Sequence, residues 1–155
     1  MAMEIERKFL VSGDFMQHVS GSVHMVQGYL NASSGRTVRV RVAGDRGFIT
    51  IKGAAGTSGF SRREWEYEIP GSDAREIMEL CMGGVIDKTR HYVPYAGHTF
   101  EVDVFHGEND GLVLAEVELA SENEAIERPE WLGEEVTGDA RYYNSMLMKN
   151  PYRRW

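Results

Sequence analysis

Two acidic pairs at alternate positions lie far apart in this chain, Glu4 with Glu6 and Glu116 with Glu118. In an extended strand, side chains two positions apart point to the same face, so each pair presents two carboxylates on one surface. Oxygen-rich carboxylate clusters favour Mg²⁺ or Mn²⁺ as the bound ion. The four residues are therefore candidates for a divalent-metal site.

Basic residues recur at the same spacing inside apolar strands. Arg39 and Arg41 are one such pair, and Lys88 and Arg90 are another. Lys8 and Lys52 each occupy the polar parity of an alternating segment. Arginine and lysine gathered on one face favour a polyphosphate ligand. A linear phosphate with its metal ions would neutralise the acidic and the basic rows together.

Eight segments have strand character because apolar and polar residues alternate along them or β-formers dominate. They cover residues 3–11, 23–30, 36–43, 48–53, 61–70, 85–95, 99–105 and 112–119. Helical spacing predicts a helix over 72–82 with Ser72 as its N-cap, a short helix over 122–126, and a final helix that begins after Asp139 and runs to Leu147. Turn residues predict a turn over 31–35 and a glycine-rich loop over 54–60. The predicted fold is α+β and mostly β.

The helices need an apolar surface to pack on, and that need decides which face of the sheet points inward. If the sheet closes into an antiparallel, tunnel-like barrel with helices packed outside, the aliphatic faces are covered and the charges line the lumen. The expected lumen holds six basic residues (Lys8, Arg39, Arg41, Lys52, Lys88, Arg90) and nine acidic ones (Glu4, Glu6, Glu64, Glu66, Glu68, Glu101, Asp103, Glu116, Glu118). Enclosing so many charges is costly unless they pair or bind ions.

Length and composition exclude several classes of protein. The 155 residues fit one domain over 1–155, and a net charge of −7 argues against broad nucleic-acid binding. No apolar run is long enough for a membrane span, and no signal peptide precedes the first strand. The single cysteine, Cys81, is compatible with a reducing compartment. We therefore expect a cytoplasmic protein that binds neither nucleic acid nor membranes; a homodimer is compatible with the sequence.

The motif series resembles the CYTH superfamily, the triphosphate tunnel metalloenzymes, over nearly the whole chain. The residues that carry the resemblance are Glu4-Ile-Glu-Arg-Lys8, Gln27-Gly-Tyr-Leu30, Arg39-Val-Arg41, Thr50-Ile-Lys52, Arg63-Glu-Trp-Glu-Tyr-Glu68, Lys88-Thr-Arg90, Glu101-Val-Asp103, Glu116-Val-Glu118, Gly133-Glu-Glu-Val-Thr137 and Arg141-Tyr-Tyr-Asn144. The resemblance implies an eight-stranded antiparallel tunnel with a charged interior. It also implies a metal-dependent enzyme similar to the small bacterial inorganic triphosphatases, which release phosphate and diphosphate.

The resemblance further implies a role for each group of residues. Lys8, Arg39, Arg41, Lys52 and Arg90 would bind triphosphate, and Glu4, Glu6, Glu116 and Glu118 would hold Mg²⁺ or Mn²⁺, with Asp103 and Glu101 supporting the metal or positioning water. Lys88 is a candidate base, because a lysine among other cations can have a lowered pKa. Tyr29 shares the inward parity of Gln27. We hypothesise that Lys88 and Tyr29 act together on the attacking water; the alternative is that Lys88 only binds phosphate and Tyr29 only packs.

Other functions stay open at the level of sequence. A class IV adenylyl cyclase, a thiamine triphosphatase or a nucleoside triphosphatase would use the same tunnel with a different organic group at its mouth. A non-catalytic polyphosphate-binding module is the alternative from another class of protein. The two intact acidic pairs argue against that module, because binding alone needs fewer metal carboxylates.

Overall fold

The computed structural model describes residues 2–33, 35–55 and 61–155. It contains nine strands in these ranges: β1 (Ala2–Val11), β2 (Gly21–Ser33), β3 (Arg36–Ala43), β4 (Arg46–Ala55), β5 (Ser61–Ile69), β6 (Ile86–Tyr95), β7 (His98–Phe105), β8 (Val113–Glu118) and β9 (Leu132–Glu135). Two short α-helices accompany them, α1 (Gly71–Met78) and α2 (Asn144–Leu147). Most of the glycine-rich loop predicted over 54–60, and one residue of the turn over 31–35, lie outside the described residues.

Eight of the strands form a closed antiparallel barrel. The order of neighbours is β5-β4-β3-β2-β6-β7-β8-β1, and β1 pairs again with β5 to close the ring. β9 adds to the barrel by pairing with the C-terminal half of β1. The predicted barrel is confirmed, and all eight predicted strands are present. β9 was not predicted, because its four residues, Leu132–Glu135, are too few to show a clear alternation.

The hydrophobic core lies outside the barrel wall, as the alternation predicted. Phe9, Phe100 and Val102 point outward from their strands and are completely buried. The segment between β8 and β9 covers them, and Trp131 packs edge-to-face on Phe100 with ring centroids 5.4 Å apart. Each such side chain contributes about 1.5–3 kcal/mol by leaving water. The barrel is therefore stabilised from its outer surface, which leaves the inner surface for polar side chains.

A second apolar cluster closes one end of the barrel. Ile86, Phe105 and Leu114 have the same parity as the inward-facing charges of β6, β7 and β8, and all three are buried. Tyr142 and Leu147 from the C-terminal segment pack against them. The lumen is thus apolar at this end and charged along the rest of its length, so a polar ligand is confined to the charged part.

The helices differ from the sequence prediction in their extent. α1 packs on the outer wall over β2, β3 and β4, as expected, but Pro70 and not Ser72 stands at its N-cap. The helix predicted over 122–126 is not formed, because the Glu124 carboxylate accepts from the backbone N–H of Ala120 and holds a turn there.

The final helix is divided in two. A 3₁₀ turn at Ala140–Tyr142, capped by Asp139 as predicted, is followed by Tyr143 in an extended conformation and then by α2. None of the helices in the described ranges is long and apolar enough to cross a membrane.

Candidate active site

The barrel encloses one large polar cavity of about 510 Å³. This volume lies within the range of roughly 300–1,000 Å³ that small-molecule sites occupy. Among the described residues, its charged lining consists of eight basic side chains (Lys8, Arg39, Arg41, Arg46, Lys52, Arg62, Lys88, Arg90) and seven acidic ones (Glu4, Glu6, Glu64, Glu66, Glu101, Glu116, Glu118). All six basic residues predicted for the lumen are present.

Two predicted lumen acids have other positions. Glu68 is exposed and pairs with Arg46, with Glu68 Oε1 2.6 Å from Arg46 Nη2. Asp103 is buried and does not line the cavity, and both of its oxygens are engaged by Arg90 and Lys88. The cavity therefore has slightly more positive than negative side chains, contrary to the expected excess of acids.

Arg62 and Arg46 are cavity residues that the sequence reasoning missed. Arg62 shares its parity with Glu64 and Glu66 on β5, and that alternation was the signal that could have identified it. Its guanidinium group lies 5.1 Å from the centre of the Tyr143 ring. Arg46 lies outside the strand predicted over 48–53. In the structure β4 begins at Arg46, and the Arg46 side chain reaches the cavity.

The four predicted metal ligands come from the adjacent strands β1 and β8. Glu6 is the cross-strand partner of Glu118, and Lys8 is the partner of Glu116, so the two acidic pairs face one surface. Burial, together with the nearby Glu116 and Glu4 carboxylates, raises the pKa of Glu6 well above its ordinary value. Crowded carboxylates of this kind gain from a divalent cation between them, so the donor set fits Mg²⁺ or Mn²⁺.

Two of these four acids, Glu4 and Glu116, make ion pairs with lysines of the basic row. Lys52 Nζ donates to both Glu4 oxygens, at 2.8 Å and 2.7 Å. Lys8 Nζ lies 3.5 Å from Glu116 Oε1. As they stand, no three His, Cys, Asp or Glu side chains in the described ranges are placed to hold one ion. For a cation to bind, the Glu4 and Glu116 carboxylates would therefore have to leave their lysine partners and coordinate the metal.

The basic residues on β3 have few acidic partners. Arg39 Nη2 donates to Thr50 Oγ1 at 3.0 Å and to Glu66 Oε1 at 3.4 Å, but Arg39 Nε is buried and has no hydrogen-bond partner within the described residues. Arg41 Nε donates to the neutral Gln27 Oε1 at 2.8 Å. Burial and the neighbouring Arg39 and Arg90 lower the pKa of Arg41 to about 9. Uncompensated buried cations of this kind call for an anionic ligand.

Lys88 is the most deeply buried basic residue of the site. Its Nζ donates to Asp103 Oδ2 at 2.7 Å and to Asn144 Oδ1 at 2.9 Å. Burial lowers the pKa of Lys88 to about 7, with the cations of Arg90 and Arg41 acting in the same direction against Asp103. Lys88 is thus poised to exchange a proton near neutral pH.

Tyr29 lies in the same region and is also buried, as its parity with Gln27 predicted. Its hydroxyl accepts from Gln27 Nε2 at 3.4 Å, and Gln27 Nε2 donates to Asn144 Oδ1 at 3.1 Å. Tyr29 and Lys88 are therefore connected through these two amides.

A CYTH domain model matches residues 2–144, which is most of the chain. This protein belongs to the CYTH family. A CYTH relative from Acetivibrio thermocellus named inorganic triphosphatase is 50% identical over 156 residues, covering 100% of this chain and 99% of the relative. Another inorganic triphosphatase, from Nitrosomonas europaea, is 38% identical over 151 residues, covering 93% of this chain and 95% of that protein.

Solved structures agree with the CYTH assignment. The crystal structure of an inorganic triphosphatase superposes with a TM-score of 0.65 and 36% identity, covering 94% of this chain and 97% of the other. A putative adenylyl cyclase from Hippeastrum, reported with dominant triphosphatase activity, superposes with a TM-score of 0.62, covering 76% of this chain and 80% of that one. It is 14% identical, so it shares the fold alone.

Proposed function

We propose that this CYTH protein is a divalent-metal-dependent hydrolase that converts inorganic triphosphate into phosphate and diphosphate. The observation that carries the proposal is the charged cavity of about 510 Å³, in which buried cations with few counter-ions face a crowded group of carboxylates. The full-length likeness to relatives named inorganic triphosphatase supports the same substrate. A linear triphosphate with its cation would satisfy both groups of charge.

In this proposal the basic residues hold the triphosphate in line for cleavage. Lys8, Arg39, Arg41, Lys52 and Arg90 bind its oxygens, and Arg62 adds a further cation from β5. Phosphoryl transfer depends mostly on positioning and charge stabilisation, which fixed guanidinium and ammonium groups supply. The unpartnered Arg39 Nε offers one donor that is already desolvated and needs no exchange of partner.

The acidic residues hold the cation. Glu4, Glu6, Glu116 and Glu118 would supply its oxygen ligands, and a bound Mg²⁺ or Mn²⁺ would neutralise phosphate oxygens and charge that develops during cleavage. We assign Asp103 to a different task from direct binding of the metal. Arg90 and Lys88 outweigh the effect of burial and lower the pKa of Asp103, so it remains an anion that fixes both cations.

Lys88 and Tyr29 are proposed to act on the attacking water. A neutral Lys88 amine accepts a proton from the water, and the Tyr29 hydroxyl orients the water by a hydrogen bond. The lowered pKa of Lys88 makes the neutral amine available near pH 7. Both side chains line the cavity, so both reach a ligand inside it.

A nucleoside triphosphate is the alternative substrate that the structure favours most. Val23, Phe48 and Tyr92 also line the cavity and give it an apolar and aromatic portion beside the charged rows. Such a surface can pack against a nucleobase. The cyclase and the thiamine triphosphatase remain alternatives of the same type, because each needs a place for an organic group.

The test is release of phosphate and of cyclic AMP by purified protein, supplied with triphosphate, ATP or thiamine triphosphate and with Mg²⁺ or Mn²⁺. We expect triphosphate to be preferred, and turnover to disappear with EDTA and in Glu4→Gln. Formation of cyclic AMP from ATP would replace the proposal with the cyclase function. Binding of triphosphate without turnover of any substrate would reduce the protein to a polyphosphate-binding module.

A further inference from the structure

The C-terminal segment contributes a polar side chain to the bottom of the cavity. Asn144 is the first residue of α2, and its Oδ1 lies 2.9 Å from Lys88 Nζ. We propose that Asn144 is a positioning residue that aims the Lys88 amino group into the cavity, and that Gln27 fixes the orientation of the Asn144 amide. This inference rests on the proposed function, in which Lys88 acts on the attacking water.

Two hydrogen-bond acceptors hold the Lys88 amino group. A lysine ammonium group has three N–H donors in tetrahedral arrangement. Asp103 Oδ2 takes one at 2.7 Å, and Asn144 Oδ1 takes a second. With the side-chain carbon as the fourth substituent, one direction remains, and it holds the third hydrogen of the ammonium or the lone pair of the amine. Because Lys88 lines the cavity, the remaining direction is the one available to a ligand there.

Hydrogen bonds fix the orientation of the Asn144 and Gln27 side-chain amides. Asn144 faces two donors, Lys88 Nζ and Gln27 Nε2, so the atom it presents to them must be its oxygen. Gln27 is fixed in turn because its Oε1 accepts from Arg41 Nε at 2.8 Å, which turns its Nε2 toward Asn144. A continuous hydrogen-bonded chain therefore joins Arg41 to Lys88, with donation from both ends converging on Asn144 Oδ1. Neither amide can flip without placing two donors together.

The packing of α2 holds Asn144 in place. Leu147, one turn along α2, is completely buried in the apolar cluster that closes the barrel. Its backbone N–H donates to the Tyr143 carbonyl at 2.8 Å, which ties the start of α2 to its buried end. The packing of Leu147 in this apolar cluster thus fixes the position of Asn144 at the start of α2. A lysine has a long, flexible side chain, and two fixed acceptors restrict it to one direction.

The test compares three variants by steady-state triphosphate hydrolysis. Asn144→Leu keeps the size of the side chain but removes the acceptor, and we expect kcat to fall about 10- to 100-fold while KM changes little. Asn144→Asp keeps the acceptor, but its added carboxylate raises the pKa of Lys88. We therefore expect the pH at which kcat rises to shift upward and most of kcat to be retained above that pH, with a higher KM because the extra negative charge opposes the anionic substrate. Leu132→Ala, in the other apolar cluster on the outside of the barrel wall, should lower the thermal midpoint but not kcat.

A second readout does not depend on turnover. In lysine-selective ¹⁵N spectra below pH 6.5, the Lys88 ammonium signal, identified by its absence in Lys88→Met, should be sharp in the wild type because its hydrogens are protected. We expect the signal to broaden or vanish in Asn144→Leu and to persist in Asn144→Asp and Leu132→Ala. An unchanged signal together with unchanged kcat in Asn144→Leu would overturn the inference. An inactive wild type would instead refute the proposed function, and the spectra would still decide the role of Asn144.

Discussion

Replacing Lys88 with methionine lowers kcat for triphosphate by about 100- to 10,000-fold, the range expected when a general base is removed. Methionine has nearly the length of the lysine stem but cannot accept a proton. The variant also leaves Asp103 with Arg90 as its remaining cationic partner, so the site stays paired. The measurement is initial-rate phosphate release over a range of triphosphate concentrations and pH.

The pH dependence separates the role of base from that of phosphate binding. A base must be neutral to act, so kcat/KM of the wild type should rise as pH increases through about 7, the lowered pKa of Lys88. This rise should be absent in Lys88→Met. Lys149→Met is the matched control, because Lys149 is an exposed lysine that donates to the Ala32 carbonyl. A variant that raises KM without lowering kcat would assign Lys88 to substrate binding only.

Replacing Glu6 with glutamine has opposite effects on activity and stability. Loss of one carboxylate from the metal group should lower activity by more than about 100-fold, since a bound cation contributes several kcal/mol to stabilising the transition state. The same change removes a carboxyl group whose ionisation is opposed by burial and by the neighbouring Glu116 and Glu4 carboxylates. In EDTA the variant should therefore melt at the same temperature as the wild type or about 2–4 °C higher, the shift that about 1 kcal/mol produces in a domain of this size.

Thermal unfolding with and without Mg²⁺ checks this second prediction. The wild type should gain stability from added Mg²⁺, because a ligand that binds only the folded state stabilises it, and Glu6→Gln should gain much less. Glu130→Gln, at an exposed position, serves as the control. If Glu6→Gln destabilised the protein in EDTA and retained activity, Glu6 would be a structural residue and not a metal ligand.

The charged lumen could be predicted from the sequence because strand periodicity alone determines which residues share a face. Arg39 with Arg41, Lys88 with Arg90, and Glu116 with Glu118 each required only a spacing of two and a closed sheet. The inward orientation of the charged face in a closed sheet followed from the helices, which need an apolar outer wall. This reasoning works where the position of a residue within a single strand determines the direction of its side chain. All six predicted basic residues line the cavity.

The remaining parts of the site depend on pairings between distant segments. The parity of Asp103 is inward, but its cross-strand neighbour Arg90 pairs with it and it does not line the cavity. No spacing along the chain reveals that pairing. β9 forms only because β1 offers it an edge beyond the stretch that pairs with β5. Asn144 reaches Lys88 because the apolar end of the barrel anchors α2. These contacts join residues 13 to 126 positions apart, where local sequence patterns carry no signal.

The most direct test of the central claim is a crystal structure of the protein with triphosphate and Mn²⁺, using anomalous scattering to locate manganese. We predict triphosphate inside the barrel in contact with Arg39 and Arg41, and a manganese peak among the carboxylates of Glu4, Glu6, Glu116 and Glu118, with Lys52 displaced from Glu4. Triphosphate bound outside the barrel, or manganese bound away from these four residues, would contradict the account.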